Sequence, residues 1–260
     1  MIRLRRPVVQ ATMTLQQITG GHIDALAISP LGFAVLRGMY DADLLRRISA
    51  AADELELSAS KRFLNLRMLR GARRQIPEIG ELIESRQRLD HLSQVAEAML
   101  EPYPIDVAAS HVNYYRAGEA TIDFHSDGAA MVELIPLNAV SGATVGTLVY
   151  RGTRDEGYSR LLTSDTGAEV AHSTLRIPHR FGDSILLQGR RLLHAGEQST
   201  QDRKLLVIAM RSSEEPWKDD NTIARLGMDY DPEDFLDQWV GDELGRKLAA
   251  LKHARGRDKA

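Results

Sequence analysis

From about residue 107 to 211 the chain is a succession of short β-type runs separated by Gly, Asp and Pro. This texture restricts the fold more than any other feature. Short strands at close spacing bury their apolar faces by closing into a sandwich or barrel. Eight runs are expected to be strands: 109–116, 121–125, 131–137, 147–151, 173–177, 184–188, 192–195 and 204–211. Eight strands suit a jelly roll. The segment 152–172, rich in Asp, Gly, Ser and Thr, is long for a connection and reads as a lid or substrate loop.

The flanks have a different character. Residues 1–30 show little pattern and are expected to be irregular or partly extended. The run from Gly32 to Gly38 reads as a buried strand closed by glycine. Asp41 then offers an N-cap to a helix with Leu44, Leu45, Ile48, Ala52 and Leu55 on one face. A second amphipathic helix carries Leu89, Leu92, Val95, Met99 and Leu100 and stops before Pro102. Residues 212–221 read as a linker turn. Asp231 and Pro232 open a C-terminal helix with Phe235, Leu236, Trp239, Val240, Leu244 and Leu248. The expected organisation is a helical or mixed support region over 1–106, a strand-rich core over 107–211 and a linker and helix over 212–260, together one α+β structural domain.

Within the core, His125 and Asp127 stand two residues apart on an extended segment, so their side chains project from one face. Alone the pattern is weak, since His22 and Asp24 have the same spacing. His194, expected on a neighbouring strand, would complete a facial triad of two histidines and one carboxylate, the set that leaves open positions on non-haem Fe(II). The chain of 260 residues has no cysteine, so a metal must sit on His, Asp or Glu. A 2-oxoacid dicarboxylate on such an ion would leave the site one negative charge in excess. A buried arginine would restore neutrality and match the far carboxylate with its fork. Arg203 and Arg211 bound the last candidate strand, and Arg203 is preferred because it starts beside His194. Tyr115 reads equally well as a core tyrosine, and His111, His172 and His179 as surface or structural residues.

Tyr115-x-x-Gly118 ahead of His125-x-Asp127, then Gly182-Asp183 ahead of His194 and a following arginine, together resemble the Fe(II)/2-oxoglutarate-dependent dioxygenases over residues 110–211. The strand over 32–36 and its helix resemble the lead-in of phytanoyl-CoA-hydroxylase-like and prolyl-hydroxylase-like members. The resemblance implies a double-stranded β-helix, or jelly roll, buttressed by N-terminal helices. It implies Fe(II) on His125, Asp127 and His194, 2-oxoglutarate held by Arg203, and O₂ as the oxidant. The stretch from Asn113 to Gly118 resembles the segment before the metal motif in alkylation-repair demethylases, which gives Asn113 and Tyr115 a contact to 2-oxoglutarate. The paired arginines of those demethylases are absent, because Arg203 and Arg211 lie eight positions apart.

These residues point to a hydroxylase of a small molecule or carrier-linked metabolite, its substrate anionic or amino-acid-like. A net charge of −3 disfavours a nucleic-acid substrate, although an alkylation-repair-type demethylase is the alternative. A non-catalytic metal-containing jelly-roll module and a hydrolytic zinc site are further alternatives. The basic stretch from Lys61 to Arg74 is either a solvated face or a cradle for one anionic group, and Arg190 and Arg191 could face the same ligand. No apolar run is long enough to span a membrane and no signal-peptide pattern opens the chain, so the expected location is cytoplasmic. Phosphate-loop, dinucleotide and nucleophile-elbow motifs are missing.

Overall fold

A computed structural model of the chain describes residues 2, 4–62, 66–119, 122–139, 145–163, 170, 172–219 and 221–257, with only the backbone of 256 and 257. The strands are β1 (Val8–Thr14), β2 (Leu31–Arg37), β3 (Arg67–Arg70), β4 (Leu100–Pro102), β5 (Ser110–Tyr115), β6 (Met131–Pro136), β7 (Gly146–Tyr150), β8 (Thr174–Pro178), β9 (Asp183–Leu187), β10 (His194–Gly196) and β11 (Arg203–Ser212). They form an eight-stranded sheet in the order β1-β2-β9-β6-β11-β5-β3, with β4 also paired to β11, and a three-stranded sheet in the order β10-β7-β8. Every pairing is antiparallel. This mixed architecture contains the jelly-roll core expected from the strand-rich segment, and β1 to β4 extend its large sheet from the first 106 residues.

Strand side chains alternate between faces, and β11 shows what each face packs against. Leu206, Ile208 and Met210 join a buried cluster with Leu45 and Ile48 of the helix Ala42–Glu54 and with Ile79 and Leu82 of the helix Pro77–Glu84. Leu205 and Val207 point the other way, into a second cluster with Val149, Leu175 and Ile177 of the small sheet. Helices therefore cover one face of the large sheet, and the small sheet covers the other. Leu45 and Ile48 are completely buried, and each contributes roughly 1.5–3 kcal/mol through burial. The helix over 42–54 starts where expected, with the Asp41 carboxylate accepting from the Asp43 amide at 2.8 Å. Replacing that cap with Ala should cost about 1 kcal/mol.

Several expectations need correction. Residues 122–125 form no strand: one isolated bridge joins His125 to His194. The segment 152–172 contains the helix Arg154–Thr163, held by buried Gly157, while 164–169 and 171 lie outside the described residues. The second amphipathic helix spans Arg86–Ala96 and is stopped by Glu97 at φ 53°, which leaves Met99 exposed and puts Leu100 in β4. The basic stretch includes β3 and the turn of helix Ala72–Gln75. After β11 the expected linker holds a short 3-10 turn, followed by the helix Ile223–Asp229 capped by Thr222. The C-terminal helix, Pro232–Arg257, buries Phe235, whereas Leu236, Val240, Leu244 and Leu248 are exposed.

Candidate metal centre

His125 and His194 are joined before their side chains are considered. The His125 amide donates to the His194 carbonyl, and the His194 amide donates back to the His125 carbonyl, both at 2.8 Å. His194 opens β10 opposite Val149 of β7, so the small sheet sets its position. Asp127 is tied separately: its amide donates to the Gly189 carbonyl at 3.0 Å. A Cβ on Gly189 would lie 1.8 Å from Asp127 Oδ2. Only glycine leaves the carboxylate where it is.

These backbone ties bring three side chains to one point. His125 Nε2 lies 3.6 Å from Asp127 Oδ1, and His194 Nε2 lies 3.5 Å from Asp127 Oδ2. One donor atom from each residue falls within 4.8 Å of the others. Both Nδ1 atoms are turned away, His125 toward the Asp123 carbonyl at 2.7 Å and His194 toward the Leu192 carbonyl at 3.1 Å. An Nδ1–H on each bond leaves the Nε2 lone pairs free to ligate, the outer support that histidine ligands need. Burial lowers the His194 pKa to about 4 despite the Asp127 charge, so its imidazole is neutral at neutral pH. For Asp127, burial pushes the carboxyl up, but His194 and His125 more than offset it and hold the group well below the usual carboxylate range. Asp127 Oδ2 is buried without a hydrogen-bond partner among the described residues. Two imidazoles with their Nε2 atoms turned inward and a carboxylate with such an orphaned oxygen fit a divalent cation.

On the same interior face Arg203 is 4% exposed. Its Nη2 donates to the Glu197 carbonyl at 2.6 Å, and its Nη1 meets His179 Nδ1 at 3.2 Å. Burial first, then Arg203 and Arg176, lower the His179 pKa to about 3. A neutral His179 therefore accepts from Arg203 and donates through Nε2 to Thr147 Oγ1, 2.9 Å away. The guanidinium lies 3.7 Å from the centroid of the Tyr115 ring, its cross-strand partner in β5. Among the described residues no carboxylate is within ion-pairing distance of Arg203, and its Nε is buried without a partner. Asn113, on the same face of β5, likewise has a buried unpartnered Oδ1. Arg211, at the far end of β11, is instead ion-paired with Glu101 at 2.7 Å and with Asp242.

Other sequence candidates have protein partners. Arg62 pairs with Asp231 at 2.6 Å, Arg70 with Asp229 at 3.1 Å and Arg73 with Asp106 at 3.1 Å, so acids of neighbouring elements compensate much of the basic stretch. Arg191 pairs with Asp24. His111 faces a cavity of about 330 Å³ that opens on His125 and Asp127. Two residues of that cavity were not anticipated. Tyr158, from the helix Arg154–Thr163, accepts the Ser126 amide at 2.9 Å through its hydroxyl, and Arg225, from the helix Ile223–Asp229, donates to the Ser126 carbonyl. The sequence signal for Arg225 was Thr222, an N-cap three residues before it.

No protein-family model and no curated protein matches the chain. Solved structures do match. The non-heme alpha-ketoglutarate-dependent carbocyclase SnoK from nogalamycin biosynthesis aligns with a TM-score of 0.56 at 16% identity, over 75% of this chain and 86% of that one. EctD from S. alaskensis with bound Fe aligns at 0.52 and 17% identity, over 82% and 84%. HygX from Streptomyces hygroscopicus, with nickel and 2-oxoglutarate bound, aligns at 0.51 and 12% identity, over 72% and 84%. The chain thus shares the fold of these structures and carries a His-Asp-His triad within it.

Proposed function

We propose that this chain is an Fe(II)/2-oxoglutarate-dependent oxygenase that oxidises a small molecule, with hydroxylation as its reaction. The observation that carries the reading is the pairing, on one buried face, of the His125, Asp127 and His194 triad with an arginine that has no carboxylate. In this reading the three side chains hold Fe(II). Arg203 takes the distal carboxylate of 2-oxoglutarate, and Tyr115 packs on its guanidinium and excludes water from that pair. Asn113 supplies a further polar contact. Arg211 is set aside as the anchor because two acids already neutralise it. When bound, iron and 2-oxoglutarate supply with O₂ an oxidant for a substrate C–H bond, with loss of CO₂ and formation of succinate. The fold neighbours include enzymes described as a carbocyclase and an epimerase, so the cavity, not the triad, would decide what the oxidised substrate becomes.

The test is anaerobic addition of 2-oxoglutarate to the Fe(II)-loaded protein. A weak visible charge-transfer band is expected, followed on admission of air by slow succinate release. A protein that binds Fe(II) but gives no band and no succinate would be a metal-containing binding module. Oligonucleotide-stimulated succinate release, with salt-sensitive binding, would move the substrate to nucleic acid.

A further inference from the structure

The cavity that opens on His125 and Asp127 has apolar walls from Met68, Val132, Val207, Ala209, Leu226 and Met228. Charge enters it at few points. Asp229 is neutralised by Arg70 at 3.1 Å. Among the described lining residues Arg225 is the one cation. Its bond to the Ser126 carbonyl uses a single N–H of Nη2, and no carboxylate of the described residues lies within ion-pairing distance. Four of the five guanidinium N–H groups remain, enough for a two-oxygen acceptor. Arg190 adds to the positive field: it is a buried residue whose pKa falls to about 10 through burial and through the neighbouring charges of Arg225, Arg154 and Arg191.

Charge accounting gives the cavity a preference. In the oxygenase reading, the metal dication is balanced by Asp127 and by a dianionic 2-oxoglutarate that Arg203 in turn offsets. The loaded centre is then neutral, and Arg225 is a surplus positive charge beside it. A half-buried cation at the end of an apolar cavity is complemented by a monoanion on an apolar skeleton. His111, whose Nδ1 is buried without a partner, offers a second polar contact in the same space.

We propose that Arg225 anchors the carboxylate of a small, otherwise apolar monocarboxylate substrate in this cavity. The inference rests on the oxygenase reading for the word substrate. The binding site itself rests on the cavity and on Arg225. Because the arginine also holds the Ser126 carbonyl, between the two ligands of the His-x-Asp turn, an occupied anchor would bear directly on ligand position. That makes Arg225 a specificity determinant.

The experiment compares straight-chain and aromatic monocarboxylates with their primary amides, read as thermal shifts under anaerobic conditions, with and without saturating 2-oxoglutarate. At least one carboxylate should stabilise the protein, with its amide requiring about tenfold more ligand or worse. The effect should persist with 2-oxoglutarate present, vanish in Arg225→Met and survive in Arg203→Met. Arg225→Gln can still donate to Ser126 and should fold, yet should also lose the carboxylate preference. Co(II) titration of both Arg225 variants checks that the triad is intact. Equal binding of acid and amide, binding that ignores Arg225, displacement by 2-oxoglutarate, or no binding by any acid overturns the proposal. Failure of the oxygenase reading looks different: 2-oxoglutarate itself would give no shift and no visible band, while Arg225-dependent carboxylate binding remained.

Discussion

On the helix-covered face of the large sheet Arg88 and Glu133 are both completely buried and form an ion pair, whereas on the face turned to the small sheet Arg203 is buried beside an aromatic ring and a neutral histidine. The Arg88 guanidinium reaches Glu133 at 2.7 Å, and the Tyr40 hydroxyl donates to the same carboxylate at 2.8 Å. Burial and the Glu133 charge together hold the Tyr40 phenol well above its ordinary pKa, so the cluster contains one cation, one anion and one neutral donor. Across the sheet, Asp127 Oδ2, Asn113 Oδ1 and Arg203 Nε are all buried without partners among the described residues. Buried polar groups normally pair, because an unpaired one costs about 1–3 kcal/mol. Among the described residues Arg88 Nη1 also lacks a partner, but the Arg88 charge is matched by Glu133, whereas Arg203 has no carboxylate, so the Arg203 face keeps a capacity that an ion and an anion can satisfy.

The largest expected effect breaks the closed face. Glu133→Gln leaves Arg88 buried and uncompensated and should lower the unfolding free energy by about 3–5 kcal/mol. Denaturant unfolding measures this, and metal affinity of the folded fraction should be unchanged. A neutral outcome would mean that the two faces do not differ as described.

The open face should respond the other way. Asp127→Ala should weaken Co(II) or Fe(II) binding by more than about a hundredfold, beyond what loss of an outer-shell partner costs, while the denaturation midpoint stays close to wild type. Gly189→Ala should act similarly, since its methyl group would occupy the place of Asp127 Oδ2. Full metal stoichiometry in both variants would exclude the triad as the binding site.

Next in size is Arg203, the residue proposed to anchor the cosubstrate. Arg203→Met should raise the 2-oxoglutarate requirement by about ten- to a hundredfold, the worth of a charge-assisted bidentate pair, with metal binding retained. Arg211→Met should instead weaken the contact of β11 with Glu101 and Asp242 and leave the cosubstrate requirement alone. A reversal between these two variants would assign the anchor to Arg211.

The smallest effect sharpens the contrast by pH. His179 titrates at about 3 in the folded protein, against about 6.5 for an ordinary histidine. Between those values the unfolded chain holds the extra proton, so this residue makes stability fall as pH drops below about 6.5. His179→Gln should flatten that part of the pH–stability curve. Removing the neighbouring charge in Arg203→Met should raise the His179 pKa in an NMR titration, though not to the ordinary value, since burial is the larger cause. An unshifted pKa would show that the guanidinium and imidazole do not interact.

Sequence patterns revealed those parts of this architecture whose burial leaves a clear apolar signature, either a continuous run or a helical period. β2, β9 and β11 are apolar runs bounded by turn residues, and each is an interior strand of the large sheet. The helix after Asp41 carries its apolar residues at helical spacing. β1 was not distinct, because as an edge strand it has almost no buried face to produce alternation. The helix Pro77–Glu84 has a proline at its start, where the missing N–H costs nothing, and a breaker is easily taken for a loop. Of the site, His125, Asp127 and His194 were readable because few residue types hold a metal in a chain without cysteine. Arg225 and Tyr158 were not, since each stands in a short helix with one buried residue identified in it, Leu226 and Gly157 respectively.

The reciprocal amide bonds between His125 and His194 join the two ligand segments through protein atoms alone. If they persist when the ion is removed, the ligands need not be gathered at the moment of binding. Metal affinity here would be spent on the ion itself and not on ordering the chain, unlike small metal-dependent domains that fold only when loaded. A chelator should therefore yield an empty but folded protein whose His125 and His194 amides exchange with solvent slowly. Such a protein could lose its ion and take up another with no round of refolding between.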